Sequence, residues 1–486
     1  MAMDAAAAEE PRRGMLRREL RFWEAIALSI GIMAPTAAMA LNGVAPAGLV
    51  GRAVPLAFLF AAIAIAFVSY AFIRLTRHFN HAGSAYALTG ATLGPRAGFF
   101  TGWAQMGTYA FFTAASIAEV GLFGTSFFEG TGIWHKPSWI TISLIAAAVI
   151  AAVAYADVKI ATRSLLLIEA LSVTLITILI VWIYVKVIGG SAPNGQKFSF
   201  KAFSPPAGVG IGAIAYASVF GFLSWAGFEG ASTLGEETNN PRRNIPFAIA
   251  GAVAFTGVFY VIVMFAQSLG FGLNGAGVKA FSGSSSPLGD LSKTFIDKGF
   301  SDAVNFGAMV SAFASALGTA AASSRILFAF GRDGFLTRRL GEASPRTGAP
   351  ANALAVVMFV AVGVVIGLHI NGTSSTNVFF YMGTIGVLSL LVAYIVTNLG
   401  AAKFLLLDRR EAPWRLAIFT VAIGALVYVE YKNVHGITYP YNRFPYVVLA
   451  WLVLSVVIIG AFPKLVRRIG ANLMRAEGIE RPPPGG

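Results

Sequence analysis

Two acidic residues lie deep in apolar runs, and two helix-breaking clusters interrupt such runs. Glu229 sits between Gly227 and Gly230 in the stretch Val219–Pro246, and Glu169 sits in Asp157–Ser172 (DVKIATRSLLLIEALS). Near the N-terminus, Ser29–Thr36 (SIGIMAPT) carries Gly31 and Pro35, two poor helix-interior residues, in a run from 22 to 47. Breaking an apolar helix frees backbone N–H and C=O groups, and each half-helix end adds about half an elementary charge. Such breaks can hold the polar head of a small solute. The candidate substrate-binding residues are Ser29, Gly31, Ile32, Met33, Ala34, Pro35 and Thr36 at the first break. At the second they are Ser224, Trp225, Ala226, Gly227, Phe228 and Glu229. Glu169 lies about 15 Å along its helix from the cytoplasmic end, at about 1.5 Å per residue. That depth exceeds comfortable snorkelling, so the acid is expected to face a protein interior. There it could bind and release a proton in each cycle, or act as a structural acid hydrogen-bonded to a neighbouring helix. Glu119 is expected to reach the interface near the outer end of its helix.

The elements that position these residues follow from composition. The chain has 486 residues, 56% of them hydrophobic and only 12% charged; a soluble chain carries about twice that charged fraction. The apolar residues form twelve blocks, from 22–47 to 445–462. A helix needs roughly 20 apolar residues to span hydrocarbon, and lipid obliges the backbone to satisfy its own hydrogen bonds. The alternation of a membrane barrel is absent. The expected fold class is an all-α polytopic membrane protein. The net charge of +14 has a topological reading, because most lysines and arginines fall in alternate connections and in both tails. That bias places both termini in the cytoplasm and argues against a nucleic-acid footprint. The first span is expected to be an uncleaved anchor after a tail at 1–21, and a polar tail is expected at 463–486.

With no cysteine, disulfides and thiolate metal sites are excluded. His78 and His81 have no third ligand at metal spacing, so no metal site is expected. The GVGIG run at Gly208–Gly212 opens an apolar helix with no preceding strand, which marks packing glycines rather than a nucleotide loop. No Walker or nucleophile-elbow pattern occurs, so neither an ATP-driven pump nor an enzyme is expected. Glycine and proline interruptions at corresponding positions of two halves point to a transporter binding site.

Three segments carry a family resemblance. They are HFNHAGSAYALTGATLGPRAGFFTGW (His78–Trp103), WAGFEGASTLGEETNNPRRNIPFAI (Trp225–Ile249) and SSRILFAFGRDGFLTRRLGEASPRTGAPANA (Ser323–Ala353). In these the chain resembles the amino acid–polyamine–organocation (APC) superfamily, and within it the bacterial amino acid permeases. The resemblance implies the leucine-transporter fold, with twelve transmembrane helices. The first ten would form two inverted five-helix repeats, 22–190 and 206–402, followed by helices 11 and 12 within 413–462. It implies alternating access, with helices 1, 2, 6 and 7 rocking against helices 3, 4, 8 and 9.

Many members carry a Gly-Ser-Gly-type sequence at the first break, whose N–H groups hold a substrate carboxylate. Here that position is Ala34-Pro35-Thr36, and Pro35 has no N–H to offer. Some proton-coupled relatives place a lysine in the fifth helix; the matching position here is Ser172. The ion-coupling candidates are therefore Glu169 for a proton, or Ser172 with Ser311 or Ser315 for sodium. Glu236, Glu237, Arg242, Arg243, Arg332 and Asp333 are cytoplasmic gate candidates. Phe222, Trp225, Phe228 and Phe379–Tyr381 are candidates for an aromatic lid. The expected function is a secondary transporter in the plasma (inner) membrane that takes up an amino acid, with no resident cofactor and with a proton or sodium gradient as driving force. The alternative is an importer or exchanger of a polyamine or small amine such as putrescine or ethanolamine. A substrate-binding membrane sensor is a third reading, disfavoured by the short tails. The partners implied are a small-molecule substrate and the lipid bilayer, without nucleic acid.

Overall fold

The structure, a computed structural model, describes residues 22–79, 84–156, 159–234, 238–332, 334, 336–344, 346–409 and 411–463. Among the described residues every extended element is a helix. The first half contains α1 (Phe22–Met33), α2 (Pro35–Leu41), α3 (Val44–Val50), α4 (Val54–Leu75), α5 (Ser84–Leu93), α6 (Pro95–Thr131), α7 (Trp139–Tyr155) and α8 (Lys159–Ile188). Then come α9 (Ile211–Trp225), a 3-10 turn at Phe228–Leu234, α10 (Pro241–Phe271), α11 (Gly275–Gly283), α12 (Pro287–Phe295) and α13 (Lys298–Arg332). The chain continues through α14 (Ala351–Ile370), α15 (Ser375–Ala402), α16 (Leu416–Val434) and α17 (Phe444–Ala461). Proline opens α2, α6, α10 and α12, where the first-turn N–H has no intrahelical acceptor and its loss costs nothing.

Among the described residues ten helical segments are long and apolar enough to cross a bilayer, and Ser29–Leu41 and Trp139–Tyr155 are shorter apolar helices. The 37 residues of α6 extend about 55 Å, well beyond a hydrocarbon core of about 30 Å, so this helix must tilt or project.

The helices form two packing groups. In one, α4 packs on α9 and α10, and α1 packs on α10, while α2 packs most on α13. α6, α7, α13 and α14 form the other group, and α15 packs against both. The apolar window of α15 is 83% buried, whereas those of α16 and α17 are 22% and 17% buried. The last two helices therefore lie at the periphery and turn their apolar side chains outward.

The Gly/Ser-rich stretch Phe281–Leu288 runs from the end of α11 into the first turn of α12. Asn274 caps α11, accepting from the Gly277 N–H at 2.8 Å, and Phe281 is buried over Gly43 at the start of α3. An amphipathic pattern this short is hidden by its glycines.

α17 is held to α6 by a reciprocal pair. The Trp103 Nε1–H donates to the Trp451 carbonyl at 2.9 Å, and the Trp451 Nε1–H donates to the Trp103 carbonyl at 3.0 Å. The rings stack with centroids 4.6 Å apart. Trp451→Phe removes one of these bonds and is expected to cost about 1 kcal/mol. Thermal unfolding in detergent would read this as a small fall in melting temperature; an unchanged value would mean that the bond contributes nothing net.

Candidate functional site

The first break falls at Ala34, in the left-handed region at φ 44 and ψ 63. This conformation is uncommon for a residue with a Cβ. Pro35 is the first residue of α2. The donors that follow it are occupied by the protein itself. The Thr36 N–H donates to Glu169 Oε1 at 2.9 Å, and the Ala37 N–H donates to Ser311 Oγ at 3.1 Å. A carboxylate from α8 and a hydroxyl from α13 thus close the positive end of α2. Glu169 is 4% exposed, and its Oε2 has no hydrogen-bond partner. The sequence placed this acid in a protein interior, where the structure puts it; its partner Thr36 lies 133 residues away.

The second break follows Trp225. Gly227 has φ +103, and a Cβ there would stand 2.3 Å from Ile32 Cγ2; one on Gly230 would stand 2.6 Å from Ile32 Cδ1. The two glycines form a cradle for Ile32, so the breaks lock into each other. Ser29 Oγ accepts from the Ala231 N–H at 2.9 Å. Farther along, Asn42 Nδ2 donates to Ser224 Oγ at 2.7 Å.

Glu229 is fully buried and fully satisfied. Its Oε1 accepts from Tyr109 OH at 2.9 Å and from Gln105 Nε2 at 3.2 Å, and its Oε2 accepts from Tyr394 OH at 2.8 Å. The acid ties the 3-10 turn to α6 and α15 across the two packing groups. Trp225 and Phe228 are also fully buried, but in the core. Trp225 packs on Tyr260 at 4.9 Å between ring centroids, and Phe228 on Phe72 at 5.4 Å and Tyr394 at 5.3 Å.

Beside the breaks, at the seam between the two groups, is a small cavity of about 40 Å³. Ile32, Met33 and Ala34 line it from the first break, and Leu223 and Ala226 from the second. Phe112 and Phe379 supply its aromatic surface, so of the aromatic candidates Phe379 is on the cavity wall while Trp225 and Phe228 are not. Glu119 also lines it, contrary to the expectation that it reaches the interface: it is 2% exposed and its Oε1 has no partner. A usable signal existed in the sequence. Phe112, Ala115, Ser116 and Glu119 recur at helical spacing on one face of α6, and all four line the cavity.

Each of the three serine candidates has an identified neighbour. Ser311 bonds to α2, Ser315 Oγ accepts from Ser116 Oγ at 3.1 Å, and Ser172 packs on α13 at Gly307. Of the gate candidates, Arg242 and Arg243 are exposed in the first turn of α10. Arg332 is exposed at the end of α13, with its guanidinium 5.9 Å from the Phe328 ring. Glu236, Glu237 and Asp333 lie outside the described residues. An ion-pair cluster that the sequence did not suggest is present instead: Glu411 pairs with both Arg74 and Arg415. Arg74 and Glu411 are 337 residues apart, and no local pattern joins them.

The amino acid permease family profile matches residues 23–407. The low-affinity putrescine importer PlaP of Escherichia coli K12 is 26% identical over 347 residues, covering 71% of this chain and 74% of the relative. The branched-chain amino acid permease BcaP of Lactococcus lactis is 25% identical over 355 residues, covering 69% and 73%. The methylthioribose transporter of Bacillus subtilis is 23% identical over 464 residues, covering 87% and 95%. An all-helical chain with ten candidate crossings, two interlocked helix breaks and a profile match over most of its length is a multi-pass membrane permease rather than an enzyme, and it belongs to the amino acid permease family.

Proposed function

We propose that this chain is a cation-coupled carrier that takes up an amino acid or a small amine across the plasma membrane by alternating access. The observation that carries this reading is the position of the cavity. It lies at the seam between two packing groups and is bounded by both helix breaks, so relative motion of the groups would open it to either side. Two relatives fit this class, one an importer of putrescine and one a permease for branched-chain amino acids, while a third carries methylthioribose, which is neither an amino acid nor an amine. In this reading Ser29–Leu41 and Trp139–Tyr155 complete twelve crossings, residues 22–190 and 206–402 are inverted halves, and both termini are cytoplasmic. Glu169 is the coupling group. It alone joins α8 to the first break through a carboxylate, so a change in its charge would be felt where substrate binds.

Uptake by proteoliposomes tests the proposal. Labelled amino acids, putrescine and ethanolamine would be offered with an imposed proton or sodium gradient. Accumulation of at least one solute above its external concentration is expected. No uptake of any of them under either gradient would reject it.

A further inference from the structure

We propose that Glu119 receives the ammonium group of the substrate, and that the solute taken by this cavity is a cationic amine without a carboxylate. The inference rests on the transport reading above and adds the substrate class. Its starting point is a mismatch between what the cavity wall offers and what it has satisfied. Glu119 is buried, lines the cavity and leaves Oε1 without a partner. Asn42, also buried on the wall, leaves Oδ1 without a partner. The orientation of that amide follows from its neighbour. The Ser224 hydroxyl donates to the Phe220 carbonyl at 3.1 Å, so toward Asn42 it can only accept. The Asn42 NH₂ therefore faces Ser224, and Oδ1 is the acceptor left over.

Both orphan atoms are acceptors, and among the described residues no lysine, arginine or histidine lines the cavity. A buried acceptor without a donor is costly, and a buried carboxylate more so. The ligand that removes both costs is a donor with positive charge. The end of α1 adds to the same field. Pro35 has no N–H for the Gly31 carbonyl, and Thr36 and Ala37 turn theirs to Glu169 and Ser311. The last carbonyls of α1 thus lack the intrahelical partners of an unbroken helix, and the negative end of its dipole meets the cavity at Ile32 and Met33. A substrate carboxylate would find the Thr36 and Ala37 donors already taken and Glu119 opposing it. Phe112, Leu223 and Phe379 provide an apolar surface for a methylene chain.

The test uses the purified full-length protein and three probes: putrescine, butanediol of the same chain length, and leucine. Putrescine is expected to raise the melting temperature, and butanediol and leucine are not. Glu119→Gln is expected to weaken putrescine binding by about tenfold to a hundredfold, and Glu119→Asp to recover part of it. Stabilisation by leucine but not by putrescine overturns the inference, as does a Glu119→Gln protein that binds putrescine like the native chain. Should Glu119→Gln not fold, the comparison of putrescine with butanediol on the native protein decides: equal effects of the two overturn it. Failure of the transport reading looks different, because then no solute accumulates in proteoliposomes; leucine accumulation untouched by Glu119→Gln would sink only the present inference.

Discussion

Glu169→Gln is expected to abolish gradient-driven accumulation of substrate while the protein still folds. The glutamine carbonyl oxygen can keep the bond from the Thr36 N–H, so the closure of α2 survives in form. What disappears is the charge and the ability to exchange a proton. The Thr36 N–H bonds to the carboxyl, and the next donor, the Ala37 N–H, bonds to Ser311 on α13. The acid is thus at a junction of the two packing groups, where a change of charge alters the balance between them. Concentrative uptake should fall by on the order of tenfold or more, where each tenfold corresponds to about 1.4 kcal/mol. Counterflow exchange at equal concentrations should persist. Proteoliposome uptake measured against imposed proton and sodium gradients reads the result. A variant with the native dependence on both gradients would remove Glu169 from the coupling role.

Gly227→Ala should cripple the protein, with a loss of about 2–4 kcal/mol. Two costs combine. At φ +103 an L residue is strained in any surroundings, and the new Cβ would stand 2.3 Å from Ile32 Cγ2. Both sides of that contact belong to helix breaks, so relief requires the breaks to separate. The costs are separable by a double-mutant cycle with Ile32→Ala, which removes the clash and leaves the backbone strain. Thermal unfolding of the four proteins would show a positive coupling between the sites, and uptake should be lost in Gly227→Ala. A Gly227→Ala protein with native melting temperature and native uptake would mean that the cradle does not hold the breaks together.

What the sequence by itself determined concerns properties that act within one segment. Transfer of an apolar helix into lipid depends on its own composition, so the crossing segments were readable, as was the all-helical class. Backbone breaking is equally local: Gly31, Pro35, Gly227 and Gly230 marked both breaks, and the structure puts them at Ala34 and at Ala226–Gly227. The depth of Glu169 followed from the rise of a helix. Charge bias was readable because it adds along each connection.

The tertiary structure decided everything that depends on which helices are neighbours. Glu229 reads in sequence as a candidate substrate-binding residue at a break, yet donors 120, 124 and 165 residues away satisfy it completely. Pro35 reads as a missing donor for substrate, whereas the donors beside it are taken by Glu169 and Ser311. Glu119 reads as an interfacial acid and is instead on the cavity wall, because α13 and α15 cover α6 on its other sides. The physical reason is the same in each case. Solvation cost is a property of a residue and its segment, but its compensation is a property of the pair, and pairs across 100 residues or more are formed only by the packing of the whole bundle.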